Sequence, residues 1–292
     1  MRITNSILYR AVKRSVQNAA QDVHKYQEQL SSGKKINSPS DNPLNAMRGQ
    51  QLHTRLAKTD QYQRNNTYAK TWMQTTEAAL SESSDLLIRL KELAVTHSSD
   101  QYTAEHRAGA AEEVRTLKDQ LLSLANARSG DRSVFAGHDT LGPAFTRAGQ
   151  YAGSDGEILI NIDDGVSLQI NVTGDTVFQS AEDKNIFETI DEFITALENN
   201  DTGGIRGVMG EIDSTATRVN SNLSLMGSRQ NTLERSGSTN EDQKLIDTEQ
   251  LGNVEDIDVV ESVVNLQSAQ NAFQAALMSS SQIGKLSLAQ FI

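Results

Sequence analysis

The sequence predicts a mainly α protein: a long helical rod or coiled-coil bundle built from both chain ends, with a small β-rich domain inserted mid-chain. Three observations predict it. Apolar residues recur at gaps of three and four near both termini. Only three of the 292 residues are proline, at 39, 43 and 143, so no proline interrupts a helix between 44 and 142. Eight of the nineteen glycines crowd into residues 130–174, where apolar and polar side chains begin to alternate.

The first element follows from Leu8, Val12, Val16, Ala19, Val23, Tyr26 and Leu30, which keep one narrow stripe on one helix face. Gly33 is placed to cap that helix at its C-terminus, and Pro39 keeps it from resuming. Pro43 suits the first turn of the next helix, where its missing N–H costs nothing, and Asp41 and Asn42 are both candidate caps. The stretch from Gly33 to Pro43 is therefore a linker between an N-terminal helix and the rest of the chain.

A heptad-like stripe continues through Ala69, Met73, Thr76, Leu80, Ser83, Leu87, Leu90 and Ala94, with Leu52 and Leu56 before it. A helix of some fifty residues would be about 75 Å long. "HSSDQYT" (97–103) reads as a turn, and Val114, Leu117, Leu121 and Leu124 mark the helix after it. "EILINIDDGVSLQINV" (157–172) predicts a hairpin turning at Asp163-Asp164-Gly165. "NIFETIDEFITALENN" restores the helical period, and Gly203-Gly204 is expected to break it. A further run through Val208, Ile212, Val219 and Leu223 is expected to fade in the polar "RSGSTNEDQ". The last helix carries Val259, Val263, Leu266, Phe273 and Leu277, with Gln270 in the seam and alanines beside it, and continues through Ile283, Leu286 and Leu288. The expected domains are an N-terminal helix at 1–40 and a C-terminal helix at 255–292, forming one inner part. A helical rod at 44–137 plus 183–250 and a β-rich insert at 138–182 complete the set.

Composition narrows the function. With 27 basic and 38 acidic residues the net charge is −11, which argues against nucleic acid as the main partner. Cysteine is absent, which excludes disulfides and thiolate metal sites. No run of 18 apolar residues exists, so no membrane insertion is expected, and the first residues lack the apolar core of a signal peptide. The five histidines show no metal spacing, the serines have no visible base, and no glycine motif cradles a phosphate. No catalytic, cofactor or metal residues are assigned, and an enzyme is not expected.

The two ends differ in charge. Residues 1–35 carry seven basic and two acidic side chains, and residues 241–292 carry eight acidic and two basic ones. Two such helices could pair seam to seam with charge favouring the match, although each exposed ion pair is worth only about 0–1 kcal/mol. Either the ends order on assembly with neighbouring subunits, or they close an ordinary bundle.

Four stretches carry a family resemblance. "QLSSGKKINSPSDNPLNAM" (29–47) resembles the N-terminal signature of the bacterial flagellin-like superfamily, and its Ser-Asp-Asn-Pro-Leu portion is similar to the hook–filament junction family. "MRITNSILY", "GDRSVFAG" (130–137) and "DIDVVESVVNLQSAQNAFQAALMSSSQIGKLSLAQFI" (256–292) resemble the same family, with Gly130-Asp131-Arg132 a departure. The resemblance implies a structural adapter of the extracellular flagellum, exported without a cleaved signal peptide. It implies a homo-oligomeric ring that joins the hook, through the preceding hook-associated protein, to flagellin. It also implies tube-forming terminal helices and a cytoplasmic export chaperone that shields the C-terminal seam. A filament flagellin, or an intracellular coiled-coil scaffold, are the alternatives.

Overall fold

A computed structural model describes residues 2–179 and 184–289. The chain is mainly α. Its elements are α1 (Arg2–Ser32), α2 (Pro43–His97), α3 (Ala104–Ala125), β1 (Arg128–Ser129), β2 (Arg132–Ser133), β3 (Leu159–Asp163), β4 (Val166–Gln169), α4 (Gly174–Phe178), α5 (Ile186–Glu198), α6 (Thr202–Glu255) and α7 (Val259–Ala289). Two compact units result: Met1–Lys58 with Gln243–Ile292, and Thr59–Asp242. The divisions fall inside α2 and α6.

In the first unit the breaks between helices are built from local chemistry. Gly33 takes φ +71°, and its N–H donates to the Gln29 carbonyl at 2.9 Å, which closes α1 with a left-handed cap. Pro43 is the first residue of α2. Of the two candidate caps, Asn42 does the work, its Oδ1 accepting from the Asn45 N–H at 3.1 Å. Asp41 instead ties the loop, accepting from the N–H groups of Asn37 and Ser38 at 3.2 and 2.9 Å. At the other break Asp258 caps α7, accepting from Val260 and Glu261 at 2.9 and 3.1 Å.

The second unit holds the large core. Ala69, Met73, Thr76, Leu80, Ser83, Leu87, Leu90 and Ala94 are all buried, so the heptad stripe of α2 faces inward along its length. Val114 and Leu121 of α3, Phe193 and Leu197 of α5, and Ile205, Ile212, Val219 and Met226 of α6 complete it. α3 packs on α5. Phe145, Ile162, Ile170, Val177 and Phe178, from within 138–182, share this core rather than forming one of their own. Aromatic side chains concentrate here: Phe145 lies 5.6 Å from Phe178 and 5.3 Å from Phe187, ring centre to ring centre, both edge-on.

The hairpin forms at the expected turn. Asp163 pairs with Val166 across Asp164-Gly165, and Gly165 takes φ +73°. A bulge between Asn161 and Asp163 turns Ile162 into the core. The strand is held from both long helices: Asn65 donates to the Asn161 carbonyl at 2.7 Å, and Asn240 and Ser236 donate to the Ile162 carbonyl at 2.8 and 2.9 Å.

Two expectations are corrected. Gly203-Gly204 does not separate helices, because both lie in the first turn of α6. The break is Asn199–Asp201, where Asn200 takes φ +56° and Asp201 accepts from the Gly203 N–H at 3.0 Å. Nor does the helix fade at 235–243. α6 runs unbroken to Glu255, because Ser236 and Asn240 are bonded to the hairpin, which low local propensity could not foretell. The short pair β1–β2 and the helix α4 carry no periodicity that would announce them.

Candidate assembly interface

α1 and α7 pack along each other with the end of α1 beside the start of α7, so they run antiparallel. On α1, Val12, Val16, Ala19, Val23, Tyr26 and Leu30 are all half-buried while their neighbours are exposed, apart from buried Gln29. On α7 the inward line is Ser262, Asn265, Leu266, Ala269, Phe273 and Ala276, with Ser262 and Ala269 buried. Leu266 and Phe273 of the expected seam belong to this line. Val259, Val263 and Leu277 do not: they are 59%, 48% and 45% exposed, and Gln270 is exposed too. Ser262, Ala269 and Ala276 take inner positions beside Leu266 and Phe273, and their small size allows close helix approach, which leaves Val263 and Leu277 facing outward. Val260, Val264 and Met278 share their exposure, as do Ile7 and Tyr9 on α1. The side chains of Leu8, Ile283, Leu286 and Leu288 lie outside the described residues.

The helix breaks meet in a compact node. Lys34 pairs with Asp256 in an antiparallel bridge. Lys35 N–H donates to the Glu255 carbonyl at 2.5 Å, and Ile257 N–H donates to the Gly33 carbonyl at 3.2 Å. Gln29 Nε2, nearly buried, donates to the Lys35 carbonyl at 2.7 Å. The Glu255 carboxylate receives Lys34 Nζ at 2.7 Å and His53 Nε2 at 2.8 Å, on different oxygens. Burial alone would push this carboxyl up; the hydrogen bonds from Lys34 and His53 outweigh it and hold the carboxyl below its usual range. Gly49 makes room for the arrangement, since a Cβ there would stand 2.7 Å from Glu255 Oε1. Further along, Asp247 is wholly buried and accepts from Arg55 at 2.8 Å and Gln243 at 2.9 Å.

Of the linker residues singled out in the sequence, Gly33 joins this node through its carbonyl, Pro39 sits in the 39–41 turn, and Pro43 opens α2. In the sequence Lys34, Glu255 and Asp247 count only among the charges of the two ends, and His53 only among the histidines without metal spacing; none stands out as part of a site. Lys34 and Glu255 lie 221 positions apart, and no local pattern links them. The charge match expected between the two ends is largely unrealised. Lys34 meets Glu255, but among the described residues Lys13, Arg14 and Lys25 of α1 have no ionic or hydrogen-bonded partner. α7 offers them none, since its acidic neighbours all lie at or before Glu261.

Among the described residues no group of three or more His, Asp or Glu could hold a metal, and no helix is long and apolar enough to cross a membrane. His97 is a packing residue, its ring 4.8 Å from that of Tyr102. The geometry is that of two helices paired along their faces.

Comparison with known proteins agrees. Residues 3–140 match the bacterial flagellin N-terminal helical region. Flagellar hook-associated protein 3 of Escherichia coli K12 is 28% identical over 314 residues, spanning 99% of each chain. The solved structure of a flagellar hook-associated protein from Vibrio parahaemolyticus superposes with a TM-score of 0.69 at 22% identity, covering 74% of this chain and all of that one. The flagellar junction protein FlgL from Legionella pneumophila shares the fold at a TM-score of 0.59 and 17% identity, covering 71% of this chain and 99% of that one. Over residues 3–140 the chain is similar to the bacterial flagellin N-terminal helical region, and over 99% of its length to flagellar hook-associated protein 3.

Proposed function

We propose that this chain is a structural adapter of the bacterial flagellum. It assembles as a homo-oligomeric ring and joins the hook, through the preceding hook-associated protein, to the flagellin filament. The observation that carries the reading is the coextensive match, 99% of each chain, to flagellar hook-associated protein 3. The outward apolar residues of α7, Val259, Val260, Val263, Val264, Leu277 and Met278, supply a surface for neighbouring subunits. Residues 1–40 and 255–292 furnish the tube-forming helices. Before export without a cleaved signal peptide, a cytoplasmic chaperone covers the α7 face. The working location is the extracellular flagellum.

Deleting the gene in its own bacterium tests this. Electron micrographs should then show hooks without filaments, with unattached flagellin in the medium, and a plasmid copy should restore filaments. Filaments still attached to hooks in the deletion strain would refute the adapter role. Growth of long filaments from the purified chain alone would move the assignment to a filament protein.

A further inference from the structure

The first unit keeps two exposed groups of opposite charge apart. Near the start of α1, Lys13 and Arg14 are exposed and without partners among the described residues, with exposed Ile7 and Tyr9 beside them. At the α6–α7 break, Glu249, Asp256 and Glu261 have exposed side chains equally without partners, beside exposed Leu245, Ile246 and Val260. The break is fixed next to Lys34 by the node, and Arg14 lies twenty residues back along α1, about 30 Å away. Charges in water are screened over about 8 Å at physiological ionic strength, so the two groups cannot neutralise each other within one chain.

We propose that a second copy of this chain supplies the missing partner: Lys13 and Arg14 of one copy dock on Glu249, Asp256 and Glu261 of the next. Both halves of the contact are carried by every copy, opposite in sign and each with apolar side chains alongside. The contact is head-to-tail, the kind that closes into a ring when the rotation between copies permits. It rests on the assembly reading above and gives that assembly a direction. The exposed α7 residues would add apolar area, while the charges set which end meets which.

The absence of native cysteine makes a clean test possible. Gln17→Cys and Thr248→Cys place single thiols at exposed positions beside the two patches. In an equimolar mixture under mild oxidation, the mixed Gln17→Cys/Thr248→Cys dimer should exceed either symmetric dimer at least tenfold. Arg14→Glu in the thiol-bearing chains should lower that yield at least tenfold, 0.5 M salt should also lower it, and Arg14→Glu with Glu249→Arg on each chain should restore it. Circular dichroism of each variant verifies the helices. Equal yields of all three dimers, no dimer at any concentration, or indifference to Arg14→Glu would overturn the contact. The deletion strain judges the adapter role separately. Hooks without filaments combined with failed cross-linking would keep the adapter and discard this contact.

Discussion

Arg107 is 2% exposed, yet among the described residues no carboxylate pairs with it. Its guanidinium donates to the His97 carbonyl at 3.0 Å, the Ser99 carbonyl at 2.8 Å and Asn200 Oδ1. It therefore stitches the end of α2 to α3 and to the turn before α6, sharing the Ser99 carbonyl with the Tyr102 N–H at 3.4 Å. Arg107→Leu keeps the apolar stem but takes this donor from the His97 carbonyl and Asn200 Oδ1, and should cost about 2–4 kcal/mol, read as a lower urea midpoint with unchanged m-value. His97 beside it has a lowered pKa, through burial first and then the Arg107 charge. A depressed folded pKa means that the unfolded chain binds the proton more readily. This contribution is therefore complete above about pH 6.5 and is lost as pH falls through the lowered value. Between pH 7 and 5 the stability of the second unit should drop in the native protein. His97→Leu should flatten that slope, and an equal slope in both would show that other groups set it.

At the scale of elements, the node around Glu255 holds both helix breaks in register. Lys34 and His53 are about half exposed, so each ion pair is worth far less than a buried one. Glu255→Gln should cost only about 1 kcal/mol, but the loss should be local. Amide exchange at 33–35 and 255–257 should accelerate while the α2 core is untouched. The same stabilisation is present above the ordinary carboxylate pKa and should be lost as pH falls through the lowered value of Glu255. These elements also mark how far sequence reading reached. The α1 and α2 stripes were legible because a helix face is set by residues three and four apart, and the hairpin because Asp-Gly demands one turn geometry. Part of the α7 stripe, at 263, 270 and 277, lies one position off the inner line, because packing on α1 takes Ser262, Ala269 and Ala276 inward beside Leu266 and Phe273. The continuity of α6 was not legible, because Ser236 and Asn240 bond to a carbonyl 74 and 78 positions away. The node was hidden for the same reason.

For the whole molecule, the two units differ in how much they bury. Among the described residues Leu52 and Ala269 are the only buried apolar side chains of the first unit, whereas the second has a continuous core from Ala69 to Leu233 that includes Trp72 and five fully buried phenylalanines. Apolar burial contributes about 25 cal/mol per Å², so α1 and α7 rest on a narrow half-buried seam and a few hydrogen bonds at the node. Local stability should follow that division. In hydrogen exchange on the free chain, amides of α1 and α7 should exchange orders of magnitude faster than those of α2 beyond Thr59, α3 and α5. Addition of a flagellar partner, or concentration high enough to assemble copies, should protect α1 and α7 selectively. Equal protection of both units in a dilute monomer would mean that the first unit is stable by itself, and the exposed faces of α1 and α7 would then have no folding role in assembly.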